Sequence, residues 1–170
     1  MFTQEKSIVD SPLARDGVHV ISTEDLRWKR RDIKSVSLLA QVLAKQAAHE
    51  AGAHEAWMVE DGYVTEGSSS SAFIVTGDGE IVTRKADTAI LPGVTRKAVL
   101  ALAAEQALTL TERPFSLDEA WNAEEVFMIS ASSFVLPSVR VDGRQIGDGR
   151  PGPTARRLRE LYLEFARKTE

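Results

Sequence analysis

Residues 56–83 read AWMVEDGYVTEGSSSSAFIVTGDGEIVT, and this stretch decides the fold class. Residues 56–59 and 63–65 flank Asp61-Gly62, a dipeptide suited to the positive-φ positions of a tight hairpin turn. Residues 72–75 and 81–83 flank Gly77-Asp78-Gly79, which predicts a second hairpin. Between the two lies Glu66-Gly67-Ser68-Ser69-Ser70-Ser71, a small, polar and flexible loop.

Outward from these hairpins the pattern alternates. Toward the N-terminus, Val18, Val20 and Ile21 follow Pro12 and the turn pair Asp16-Gly17 and read as a strand. A dense polar cluster, residues 24–32, then leads into Ile33-Lys34-Ser35. From about Ser37, Leu38, Leu39, Val42, Leu43 and Ala47 recur at helical spacing, and Gly52 is a natural stop. Toward the C-terminus, Leu91-Pro92-Gly93-Val94 precedes an Ala- and Leu-rich helix expected from Thr95 to about Leu108. Ser116 and Glu119 have capping-box spacing and predict a short helix. Residues 125–129 read as a buried strand that runs into Ser130-Ala131-Ser132-Ser133. Val139-Arg140-Val141 turns at Asp142-Gly143, and Pro153 suits the first turn of a closing helix reaching about Lys168. There is no internal repeat. Strands with interspersed helices predict a mixed α+β domain.

The bulk numbers narrow the function classes. A chain of 170 residues is one ordinary domain with room for a proper core. The net charge of −4 argues against nucleic acid as a partner, because phosphate binders carry a basic surplus. The absence of Cys excludes disulfides, thiolate metal sites and a cysteine nucleophile. No run approaches the roughly 18 apolar residues that span a bilayer, so no membrane association is expected. The polar start, MFTQEKSIVDSPLARDG, lacks the apolar region of a signal peptide. A cytoplasmic location is the expectation.

Three small-residue loops stand beside predicted strands or helices: residues 67–71, Gly93-Val94-Thr95, and residues 130–133. Backbone N–H groups and hydroxyls at a helix start form an anion site, although any one such loop reads equally well as an ordinary turn. Thr95 occupies the expected N-cap, aiming its hydroxyl at a phosphate. No loop matches the Walker A or GxGxxG pattern. Lys34 lies between Ile33 and a helical apolar face, after a basic cluster. Burial and neighbouring cations make a lysine nucleophilic, while composition and periodicity leave it open as a surface residue at a helix start. Glu66 ends a predicted strand, where a carboxylate either caps a turn or accepts a hydrogen bond from a protonated ring nitrogen. His49 and His54 are spaced wrongly for HExxH and read as surface residues near a helix C-terminus. Arg156-Arg157-Leu158-Arg159 reads as a solvated helix face.

The order of segments carries more than any one of them. EDLRWKRRDIKS (24–35), LLAQVLAKQAAHEAGAHEA (38–56), VTEGSSSSAFIV (64–75), ILPGVTRKAV (90–99) and EEVFMISASS (124–133) together resemble the D-amino acid aminotransferases. These are fold-type IV, or class-IV, pyridoxal-phosphate enzymes, alongside branched-chain aminotransferases and aminodeoxychorismate lyase. The resemblance covers nearly the whole chain and implies their C-terminal domain, a mixed-sheet pseudo-barrel with surrounding helices. It implies that Lys34 carries pyridoxal 5'-phosphate as a Schiff base and moves the Cα proton. Glu66 would pair with the pyridine nitrogen, Leu91 would pack on the ring, and Ser68, Ser69 and Ser70 would line the pocket. Gly93, Val94 and Thr95 would bind the phosphate, with further contacts from Ser130 and Ala131.

Two positions depart from the pattern. Ala131 stands where a hydroxyl residue is usual, which removes one hydrogen bond worth about 1 kcal/mol. Ser132 is placed to compensate, and Ser71 replaces a common Asn. The family also carries an N-terminal domain that supplies a phosphate-binding arginine, the substrate-carboxylate trap and much of a dimer interface. Residues 1–22 are therefore read as the remnant of the interdomain connection and first strand, and residues 23–170 as the cofactor domain. The expected activity is transamination between a D-amino acid and a 2-oxo acid, aided by that N-terminal domain. The expected partners are those small molecules and a second copy or a separate N-terminal half. Branched-chain transamination, aminodeoxychorismate lysis and a non-catalytic cofactor-binding module are the alternatives.

Overall fold

The computed structural model describes residues 7–168. Among the described residues, nine strands form one mixed sheet. They are β1 (Val18–Glu24), β2 (Glu55–Glu60), β3 (Tyr63–Gly67), β4 (Ser71–Val75), β5 (Ile81–Thr83), β6 (Leu110–Glu112), β7 (Glu125–Ser130), β8 (Phe134–Val141) and β9 (Arg144–Gln145). Five helices accompany them: α1 (Pro12–Asp16), α2 (Leu39–Glu50), α3 (Val94–Glu105), α4 (Leu117–Trp121) and α5 (Pro153–Lys168).

Across the sheet the order is β3, β2, β1, β8, β7, β4, β5, β6, with β9 paired to β8. β1 runs parallel to both β2 and β8, and β5 runs parallel to β6. The remaining pairs are antiparallel. The sheet curls, because Val64 of β3 and Val82 of β5 share one apolar cluster although many strands separate them in the order.

Both faces of the central strands are covered, which is why β4 and β7 are almost continuously apolar. Ala72, Ile74, Val126 and Met128 point to a cluster that includes Trp57, Phe115 and Ala120. Phe73, Val75, Phe127 and Ile129 point the other way, onto Val99 and Ala103 of α3 and Ala155, Leu158 and Leu161 of α5. Phe73 and Phe127 face each other across the β4–β7 ladder with stacked rings 5.0 Å apart.

Local signals hold where expected. Asp61 and Gly62 adopt φ of 52° and 81°, and Asp142 and Gly143 adopt 51° and 76°, the two positive-φ positions of a tight hairpin. Ser116 and Glu119 exchange both bonds of the capping box at the start of α4. α1 and β6 are additions that the sequence did not suggest, at five and three residues too short to show a period.

α2 departs from its pattern. Its buried residues are Ala44 and Ala48, which lie on Ala56 and Met58 of β2. The larger apolar side chains face outward, Leu39 at 72% exposure, as do Leu38, Val42 and Leu43. The helical period holds, and the face that packs on the sheet is the alanine face rather than the leucine one. Among the described residues, no helix is long and apolar enough to cross a membrane.

Candidate active site

Sheet register gathers the three small-residue loops at one end. Ser71 opens β4 opposite Ile129 of β7, so the turn after Ser130 lies beside the loop that precedes Ser71. A Cβ built on Gly93 would lie 3.8 Å from the Ser71 hydroxyl, which brings the start of α3 to the same place.

The N-cap of α3 is Gly93, not Thr95, and no side chain caps the helix. Thr95 is the second helical residue and is buried with Arg96, while Val94 is exposed. A twelve-residue helix that begins on glycine leaves the N–H groups of its first turn without a side-chain acceptor. Arg96 fixes this end by donating to the Arg84 carbonyl at 2.7 Å and to Glu112 at 2.6 Å. Ser130 and Ser133 hydroxyls lie 2.7 Å apart across the other turn, with Ser132 at 3.3 Å from Ser130 and Ala131 exposed.

Glu66 is buried at the end of β3. Its Oε1 accepts from Leu91 N–H at 3.0 Å and from Arg27 Nη1. Burial raises the Glu66 carboxyl above its ordinary value, against the lowering pull of Arg27 and the Leu91 N–H. Oε2 accepts no hydrogen bond from any described residue.

Arg27 is the main residue that sequence reasoning missed. Its Nε donates to Asp25 Oδ1 at 2.9 Å and its Nη2 to Asp25 Oδ2 at 2.7 Å, a side-on fork. The Thr65 hydroxyl lies 2.6 Å from Asp25 Oδ2. Burial pushes the Asp25 carboxyl up, but the Arg27 and Thr65 hydrogen bonds outweigh it and hold the group below its usual range. The signal was present in the sequence as Asp25 and Arg27 flanking Leu26, hidden inside what read as a basic run.

That run is not a free positive field. Arg31 forks onto Glu60 at 2.9 Å through both terminal nitrogens, Lys29 also bonds Glu60, and Arg30 pairs with Asp32. Arg31 N–H further donates to the Thr88 carbonyl at 3.0 Å. The segment is thus clamped to β2, β3 and the loop before α3. Lys34 follows three residues later, exposed in a loop and five residues before α2. Lys34 therefore sits as the surface lysine before a helix that its sequence context left open, and its basic neighbours are neutralised by carboxylates. Among the described residues its ammonium has no hydrogen-bond or ion-pair partner.

Glu55 is a second residue that the sequence did not mark. It is buried at the start of β2 and accepts from the Ser68, Ser69 and Ser70 hydroxyls, the last two at 3.3 and 3.1 Å. Gly67 fits closely there, since a Cβ would come within 2.2 Å of Ser70 Oγ and 3.2 Å of Glu55 Cγ, and the Ser70 side chain would have to move. The third is Arg159. Far from a solvated face, it is buried and donates to the carbonyls of Ser133 at 2.7 Å and Val135 at 2.8 Å.

The chain thus brings an uncapped helix start and a buried acid to one end of a curled mixed sheet, with a solvent-facing lysine in the loop before α2. Comparison with known proteins gives its class. A family model for amino-transferase class IV matches residues 7–141, and the chain belongs to that family. The D-alanine aminotransferase of Bacillus licheniformis is 43% identical over 144 residues, 85% of this chain and 50% of that protein. That of Staphylococcus haemolyticus is 40% identical over 150 residues, covering 88% and 53%. Among solved structures, a T.th. branched-chain amino acid aminotransferase with pyridoxamine 5'-phosphate superimposes with a TM-score of 0.88 at 32% identity, covering 95% of this chain and 54% of the other. The chain spans about half the length of the curated relatives it matches.

Proposed function

We propose that this chain is the cofactor-holding half of a pyridoxal-phosphate-dependent aminotransferase that exchanges an amino group between a D-amino acid and a 2-oxo acid. One observation carries the reading. Leu91 donates to the buried Glu66 carboxylate and stands three residues before Val94, where α3 begins without a side-chain cap. Three residues reach about 11 Å at most. A ligand with a basic ring atom at one end and a phosphate at the other fits that separation. The unmatched Oε2 of a buried carboxylate and the open first turn of a helix suit those two groups.

When bound, the cofactor supplies an aldehyde for amine attachment and a protonated pyridine that draws electron density from Cα. In this reading Lys34 Nζ is the attachment point and the group that moves the Cα proton. Glu66 accepts the ring N–H. Leu91 packs beside the ring, and the loop of Ser68, Ser69 and Ser70 lines the pocket. Gly93, Val94 and Thr95 hold the phosphate through N–H groups and the Thr95 hydroxyl, with Ser130 and the Ala131 N–H opposite. We assign substrate selection to the part of the relatives' length that this chain does not span, reached through a second copy or a separate N-terminal half.

The D-amino acid type is preferred because the D-alanine aminotransferases above are 40% and 43% identical, against 32% for the branched-chain enzyme. The test begins with the purified chain and pyridoxal phosphate. A visible absorbance band is expected, and borohydride reduction followed by peptide mapping should place the label on Lys34. Identical cofactor binding by wild type and Lys34→Ala would refute the assignment. Pyruvate release from aminodeoxychorismate without amino-group exchange would favour the lyase.

A further inference from the structure

Both protein donors to Glu66 converge on the same oxygen. Arg27 Nη1 and the Leu91 N–H each reach Oε1, and among the described residues none reaches Oε2. Both donors favour the ionised carboxylate, but only the guanidinium brings a full positive charge, which it keeps at any working pH. Arg27 is also held from behind. Its opposite edge is forked onto Asp25, whose side chain is fully buried and whose Oδ2 lies 2.6 Å from the Thr65 hydroxyl. With side-chain exposures of 6% for Arg27 and 7% for Glu66, water screens this contact little.

We propose that Arg27 is a positioning residue: locked on Asp25, it occupies Glu66 Oε1, keeps the carboxylate ionised and turns Oε2 toward the ring nitrogen of the cofactor. The inference rests on the assignment of Glu66 made above. Without Arg27, burial favours a neutral Glu66 carboxyl, which has lost the charge needed to stabilise a protonated pyridine. The charged groups facing Glu66 are few: Arg27 directly, with Asp25 behind it and Arg31 at 3.5 Å from Asp25. Arg27 never touches substrate in this role, so its effect must be read at the ring rather than in turnover.

The experiment uses the full chain with pyridoxal phosphate labelled with nitrogen-15 in the ring. The nitrogen chemical shift reports protonation directly, and circular dichroism confirms folding of each variant. Wild type should show a protonated ring nitrogen. Arg27→Met and Glu66→Gln should each move the signal toward the unprotonated value and weaken cofactor binding about tenfold, the loss of one charge-assisted hydrogen bond. Their combination should be no worse than either alone, because both remove the same interaction. Arg27→Lys keeps the charge without the fork and should restore only part of the signal; it is the variant to read where Arg27→Met does not fold. A ring that stays fully protonated in the folded Arg27 variant, alongside a shifted Glu66→Gln, overturns the role of Arg27 alone. An unshifted Glu66→Gln removes the Glu66 assignment and this inference with it.

Discussion

The guanidinium of Arg159 on α5 donates to the carbonyl of Ser133 at 2.7 Å, so the closing helix holds the turn that ends β7. The same group reaches Val135 at 2.8 Å, and its charge lies 5.9 Å from the centre of the Phe134 ring. Phe134 itself has a positive φ of 59°, an unusual backbone for an aromatic residue. The turn is therefore held by contacts from outside rather than by its own preference. Arg159→Met should strip charged donors from four carbonyls, those of Ile8 and Val9 as well as Ser133 and Val135, and cost about 2 kcal/mol. Urea unfolding with an unchanged m-value would measure it, and phosphate-dependent cofactor affinity should fall in parallel.

Gly67→Ala tests the serine loop. The added methyl must displace Ser70 Oγ, 2.2 Å away, and with it the 3.1 Å bond to Glu55. Overpacking of this kind costs about 1–3 kcal/mol. The loop should also shift away from Glu66, so cofactor affinity should fall more than the stability loss alone explains. Thermal melts with and without cofactor separate the two effects.

Glu125 on β7 caps α5 with both oxygens, accepting from Thr154 N–H at 2.8 Å and Ala155 N–H at 2.9 Å. Glu125→Ala should cost about 1–2 kcal/mol, the range of a lost helix cap. Since α5 carries Arg159, hydrogen exchange should rise in the 131–133 turn as well as at the helix start.

Acid should expose the clamp around Lys34. Hydrogen bonds from Arg31 and then Lys29 hold the Glu60 carboxyl down, from 4.5 to about 2. A folded-state value below the unfolded one means stability that is complete above pH 4.5 and lost as pH falls toward 2. Glu60→Gln should flatten that part of the stability-against-pH curve and leave the region near neutrality sloping as before. Urea titrations at about pH 5 and about pH 3 would show it, with a small, salt-sensitive amplitude because Glu60 is partly open to solvent.

Ala131→Thr restores a hydroxyl opposite the start of α3. A gain of about 1 kcal/mol corresponds to roughly fivefold tighter cofactor binding. An unchanged affinity would mean that the Ser130, Ser132 and Ser133 hydroxyls already satisfy that side.

The amino-acid sequence by itself determined the features whose causes lie within a few residues. Asp61-Gly62 and Asp142-Gly143 specified hairpins because their backbones accept positive φ, and Ser116 with Glu119 specified a cap whose partners stand three positions apart. The family pattern of segments around Lys34, Glu66, Gly93 and Ser130 pointed to the class of protein, and the match over residues 7–141 agrees. Only the tertiary structure decided what the charged and apolar side chains face. Arg27 and Glu66 are 39 positions apart, and Arg159 and Ser133 are 26 apart, so no local pattern could pair them. The same holds for α2, where spacing showed a helix but the choice of Ala44 and Ala48 for its buried face came from β2 packing beneath it. Register does the rest: once Ser71 pairs with Ile129, the 67–71 and 130–133 loops share one end of the sheet, and Gly93 comes to lie beside Ser71.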